Sequence, residues 1–173
     1  MAVHTNEIVP PFDFSVALKH SLEDRFLICV DRVRRVLIDS GMWDYFGVPP
    51  VPEYGATDAE LKALESVLDT PLPTEYRTFL HKWRYLGISD GTRIWGVSHA
   101  GISIGWPWVS DEHRASVKYL VFADYWMFAD GDQLMFEVGD ADGAVVAYLH
   151  EHGPLYEWFA PSFSLALWRI MHE

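Results

Sequence analysis

The stretch TDAELKALESVLDTPLPTEYRTFL, residues 57–80, decides how this chain is read. Thr57 is followed three residues later by Glu60. That is the capping-box spacing, in which each side chain satisfies the other residue's free backbone N–H at the start of a helix. Leu61, Leu64, Val67 and Leu68 then make one apolar stripe at helical spacing. Asp69-Thr70-Pro71 closes this helix, and a second starts at Pro73. Proline suits a first helical turn because its missing N–H would be unpaired there anyway. Tyr76, Phe79, Leu80 and Trp83 form the buried stripe of the second helix, which is predicted to end near residues 85–87.

Upstream, Pro10 and Pro11 block regular structure. A helix is predicted over about residues 15–39, with Leu22, Phe26, Val30, Val33 and Leu37 at helical spacing and charged residues largely between them. Ser40-Gly41 would end it. The segment YFGVPPVPEYG, residues 45–55, reads as an extended, proline-rich connector. Residues 1–55 are therefore expected to form an N-terminal helical extension and connector packed on a core domain of residues 56–173.

Downstream the period changes from helical to β. Strands are expected at residues 92–97, 118–130, 134–138, 144–150 and 155–159. The segment 98–116 reads as a strand fragment plus loops. GDADG, residues 139–143, has the composition of a hairpin turn. After Pro161, Phe163, Leu167 and Ile170 mark one face of a terminal helix. Helices, then hairpin-linked strands, then a helix predict an α+β fold with a mostly antiparallel sheet of about five to six strands.

A chain of 173 residues, half of them hydrophobic and eight of them Trp, can bury a single-domain core. No apolar run approaches the roughly 20 residues of a membrane span. The N-terminus has no basic region followed by an apolar one, so no signal peptide is expected. The single Cys29 lies in the apolar run FLICV and reads as a buried structural residue, because a reactive thiolate needs an exposed, cationic site. A reducing, cytoplasmic setting follows.

The net charge of −12 is uneven. Residues 1–120 carry 16 acidic and 12 basic side chains, whereas residues 121–173 carry 9 acidic and 1 basic, Arg169. Such a field repels phosphate backbones and anionic lipids, which argues against nucleic acid and membrane partners, and it speeds encounter with a basic partner. A solvated face kept for solubility is the plainer reading of the same acids.

The ordered pieces together resemble the SUKH superfamily of Smi/Knr-like proteins. They are the capped helix with Glu60, Leu61, Leu64 and Glu65, then Leu72-Pro73, then Glu75-Tyr76 and Phe79-Leu80. TRIWGV, YLVFADYW, GDQLMFEV, GAVVAYLHEHG and APSFSLALW follow in the family's order, so the resemblance spans roughly residues 56–170. It implies a binding module without catalytic residues, cofactor or metal. Bacterial members are largely immunity proteins that neutralise toxin domains, often nucleases or deaminases, and fungal relatives act in regulation of cell-wall synthesis. The resemblance thus implies a protein partner, a toxin domain whose basic character the acidic C-terminal third would suit. The expected partner surface is Asp124, Asp130, Asp132, Asp140, Asp142, Glu151 and Glu157, with Trp106 and Trp108 as aromatic anchors.

Three other patterns in the sequence bear on catalysis or ligand binding. His150-Glu151-His152 would put two imidazoles on one face of a strand, but no third metal ligand accompanies them. Asp140 to Gly143 lacks the remaining ligands of a calcium loop. Asp124, Asp130 and Asp132 with Trp106, Trp108 and Trp126 make carbohydrate binding or hydrolysis the enzyme-class rival. A regulatory scaffold is the other alternative.

Overall fold

The computed structural model describes residues 8–42, 49–99, 104–110, 117–152 and 155–173. Parts of the predicted connector, of the segment 98–116 and of the turn after His152 lie outside the described residues. Four α-helices are described: α1 (Leu22–Val33), α2 (Asp58–Leu68), α3 (Thr74–Lys82) and α4 (Phe163–His172). The strands are β1 (Leu86–Ser89), β2 (Thr92–Ile94), β3 (Trp108–Ser110), β4 (Tyr119–Tyr125), β5 (Gln133–Glu137), β6 (Val145–Leu149) and β7 (Leu155–Ala160). They form one antiparallel sheet in the order β1-β2-β4-β5-β6-β7, with β3 paired to β4. The fold is α+β, with one strand more than the upper end of the expected range.

The capping box at Thr57 is present in both directions: the Glu60 N–H donates to Thr57 Oγ1 at 3.2 Å, and the Thr57 N–H donates to Glu60 Oε2 at 2.8 Å. Glu60 also receives the guanidinium of Arg84. Arg84 is almost fully buried and donates as well to the carbonyls of Gly55, Val97 and Ser98. The start of α2 is thereby tied to the strand region. Arg84 and the Thr57 N–H hold the Glu60 carboxyl down at about 2, well below its ordinary value.

The helical stripes differ from expectation at one position. Leu61 and Leu64 are buried, whereas Val67 is 84% exposed. At 100° per residue Val67 sits about 120° from Leu61, outside the stripe that Leu64 and Leu68 share with it. The first helix also starts later than expected, at Leu22, where the Ser21 side chain accepts from the Asp24 N–H. Its last turn widens into a π-helical segment, Arg34–Ile38. Helix α3 stops at Lys82, because Trp83 turns extended, and the chain enters β1 at once. That strand was read from the sequence as a helix stop.

The helices cover one face of the sheet. Phe163 opens α4 and is 1% exposed. Its ring lies 6.0 Å from Phe26 of α1, 5.2 and 5.1 Å from Tyr76 and Phe79 of α3, and 5.6 and 6.3 Å from Phe122 and Phe136 of the sheet. The Tyr76 hydroxyl donates to the Trp95 carbonyl at 2.7 Å, so this aromatic cluster buries no unpaired hydroxyl there. A β-bulge between Val121 and Ala123 lets Phe122 and Ala123 both join the helix-side core. The opposite face carries a smaller cluster of Trp95, Tyr119, Val121, Met135 and Tyr156.

Replacing Phe163 by Ala should cost about 4 kcal/mol, since the site is enclosed by five rings and cannot collapse. Val67→Ala should cost less than about 0.5 kcal/mol, as expected for an exposed site. Urea unfolding of both variants checks the pair, and equal losses would contradict this account of the core.

Candidate partner-binding face

Antiparallel pairing decides which turns share an end of the sheet. Strand β4 ends, and β5 begins, at the turn of residues 126–132. Because β2 and β6 run antiparallel to their neighbours, the β1–β2 turn and the β6–β7 connection lie at that same end. Asp90, Trp126, Phe128, Asp130 and Glu151 therefore gather there. The β5–β6 turn, with Asp140 and Asp142, lies at the opposite end, roughly 17 Å away along the five residues of β5.

The predicted surface thus divides. Asp130 and Glu151 are exposed at the first end, with Asp124 half-buried just inside it. Asp142 is exposed at the second end. Asp140 beside it accepts the N–H groups of Asp142 and Ala144 at 3.0 and 3.2 Å, so its carboxylate shapes the hairpin turn. Glu157 belongs to neither end. It lies on β7 and takes the N–H groups of Ile8 and Val9 at 2.9 and 2.7 Å, holding the N-terminal segment against the sheet. Trp106 and Trp108 are half-exposed at the β3 flank, away from both turns.

Asp132 is the organiser of the first end and not a surface charge. It is 1% exposed. One carboxylate oxygen accepts the N–H groups of Phe128 and Ala129 at 2.9 and 3.0 Å, and the other accepts the His150 N–H at 2.8 Å. A single side chain thus closes the β4–β5 turn and joins it to the β6–β7 connection. Its carboxylate is spent on backbone, which removes it from any open carboxylate pair of the glycosidase kind.

The aromatic residues of this end are seated on neighbouring turns. The Trp126 N–H donates to the Gly91 carbonyl at 2.8 Å, and the indole lies over Gly91 so closely that a Cβ there would come within 2.7 Å of the ring. Phe128 packs edge-on against His152 with ring centroids 5.7 Å apart. Trp126 and Phe128 still expose 41% and 48% of their surface. Three turns are locked into one rim that presents two aromatic faces among the carboxylates of Asp90, Asp130 and Glu151. Asp90 also lies 3.6 Å from Arg93. His150-Glu151-His152 forms a short helical turn and not a strand. Among the described residues no group of three or more His, Cys, Asp or Glu is arranged to hold a metal ion.

Asp124 faces the open side of the sheet in a row with Arg93, Gln133, Tyr148 and Tyr156. Burial pushes its carboxyl above the ordinary value. Hydrogen bonds from Trp95 and Gln133 and the charge of Arg93 oppose the shift without cancelling it.

Sequence reading found Asp130 and Glu151 and missed Asp90 and Phe128. Asp90 was signalled by the Ser89-Asp90-Gly91 turn. Phe128 lies in the apolar run before Asp130 and carried no signal, because that run read as a continuous strand.

The structure is thus an α+β domain with helices on one sheet face and a rim of fixed turns at one end. A family model described as the SMI1 / KNR4 family (SUKH-1) matches residues 55–167, and the chain belongs to that family. Neither a curated protein nor a solved structure matches it. Among the described residues no helix is long and apolar enough to cross a membrane.

Two outcomes follow. Asp132→Ala leaves three backbone N–H groups without their acceptor and should cost about 3 kcal/mol in urea unfolding. Asp124→Asn should do the reverse at neutral pH. The folded carboxyl titrates above the unfolded one, so wild-type stability falls as pH rises from the ordinary carboxylate value through the raised one. The variant lacks that loss. Its melting temperature should exceed wild type at pH 7, and the difference should shrink by pH 3. A constant or inverted difference would sink this assignment.

Proposed function

We propose that this chain is a non-enzymatic immunity protein that binds and neutralises a basic toxin domain by covering its active surface. Family membership supports a protein partner. The observation that carries the reading to this surface is the rim itself: Trp126 and Phe128, half-exposed yet held on neighbouring turns, surrounded by Asp90, Asp130 and Glu151. Rigid aromatic side chains supply contact area at little entropic cost, and a ring of carboxylates steers a cationic surface toward them. A toxin that holds phosphate-bearing substrates needs such a cationic surface. The acidic residues 121–173 set the long-range field, while the rim supplies the contact.

The test is capture from lysate of the source organism at low and high salt, followed by co-expression of any captured toxin with this chain. The expected result is one basic protein, retained at low salt, whose toxicity the intact chain suppresses. Asp90→Lys with Asp130→Lys should slow association about tenfold at low salt. Equal on-rates for the variant and the intact chain would remove the rim from the account, and a captured partner whose activity is unaffected would remove the neutralising role.

A further inference from the structure

The rim combines two features that net charge alone does not require. Its carboxylates, Asp90, Asp130 and Glu151, are exposed on neighbouring turns. Two aromatic rings, Trp126 and Phe128, stand among them with 41% and 48% of their surface open. Acids kept only for solubility have no need of such rings, because exposed apolar area works against solubility.

Both rings are held in place. The Trp126 backbone N–H is fixed on the Gly91 carbonyl at 2.8 Å, and a Cβ on Gly91 would come within 2.7 Å of the indole, so glycine makes the seat. The Phe128 N–H is fixed on Asp132 at 2.9 Å, and its ring abuts His152. The His150 ring lies over Gly131 on the same turn, 3.2 Å from where a Cβ would stand. The carboxylates beside these rings keep acceptor capacity. Asp90 meets the protein's own Arg93 at 3.6 Å, too long for a hydrogen bond, and among the described residues Asp130 and Glu151 meet no Lys or Arg.

Fixed aromatic faces bounded by carboxylates distinguish between cations. A lysine ammonium is a compact, strongly hydrated point charge, and it pairs with a carboxylate equally well away from any ring. A guanidinium is planar and weakly hydrated. It lies flat on an aromatic face while its N–H edge donates to carboxylate oxygens. A phenyl or aliphatic side chain would cover the rings but strip water from the carboxylates without pairing them. An anionic ligand meets only like charge there. On the reading that the rim is the partner face, we infer that it takes arginine side chains of the partner, with the guanidinium stacked on Trp126 or Phe128 and its edge donating to Asp90, Asp130 or Glu151. Arginine, and not basic character in general, is then what the partner must display at the contact. Its lysines contribute to the rate of encounter alone.

Acetylated, amidated tetra-arginine and tetralysine peptides carry the same charge, so comparing them removes steering from the measurement. Each is titrated into the full chain at low ionic strength and followed by the indole and backbone amide resonances. The expected result is a shift of the Trp126 indole N–H and of Phe128, with tetra-arginine binding about fivefold tighter than tetralysine, as one or two exposed cation–π contacts provide. Phe128→Leu removes one ring, and Gly91→Ala keeps every ring and charge but pushes the indole off its seat. Each should cut the preference about twofold or more, with circular dichroism and tetralysine affinity unchanged. Equal affinity for the two peptides, a preference untouched by both variants, or shifts confined to residues 139–143 would overturn the assignment. So would the lack of any Trp126 shift with either peptide by about 10 mM. Equal affinities would leave charge steering of a basic toxin standing, whereas an intact arginine preference in a chain that fails to suppress a captured toxin would sink the immunity reading and leave this anchor.

Discussion

The ring of Phe163 is the contact on which the remaining architecture depends. It touches rings from α1, α3, β4 and β5, elements drawn from residues 22 to 137, while itself opening the last helix. Apolar area of that size, removed from water at the meeting point of three helices and a sheet, has no cheaper arrangement. Once Phe163 is seated, α4 lies along α1, and Arg169 of α4 reaches the Phe159 and Pro10 carbonyls at 3.0 and 2.7 Å. The helix-side core and the N-terminal segment are then parts of one packing problem. The turns at the end of the sheet are left to project from a rigid base.

The acidic residues divide into two populations that net charge alone does not separate. Glu60, Glu75, Asp132, Asp140 and Glu157 accept hydrogen bonds from backbone N–H groups, and Glu60 receives Arg84 as well. They position chain segments. Asp90, Asp130, Asp142 and Glu151 stand exposed on turns. Only the second group can meet a partner directly, yet its geometry is set by the first. Asp132 makes this dependence explicit, because the loop that carries Trp126, Phe128 and Asp130 is closed by its carboxylate. In the proposed complex, rim charge would govern encounter, and the aromatic area at its centre would govern how long the complex lasts.

Local signals in the sequence were legible where they have local causes. The capping box at Thr57, the start of α3 beside Pro73 and the strand-forming runs of β4 to β7 each follow from neighbours within a few residues, and each is present. What escaped was long-range. Strand β1 exists because β2 pairs with it, and its four residues Leu86–Ser89 show little pattern alone. The burial of Asp132 depends on His150, eighteen residues away, so a charged residue in a turn gave no hint of an internal role. The same holds for the division of the acidic surface. Residues 130 and 140 are close in sequence, but one strand of the sheet separates them in space.

Cys29 gives the molecule a built-in clock. It is the only thiol in the chain and is wholly buried on the inner face of α1, where burial pushes it up to about 12. A reagent cannot reach it, nor find it as thiolate, until α1 lifts from the core. Its labelling rate therefore reports how often the Phe26 and Phe163 rings part, one opening event read at one atom. Because the sulfur is already wholly buried, a partner on the rim that slows labelling does so by making that opening rarer rather than by shielding the sulfur.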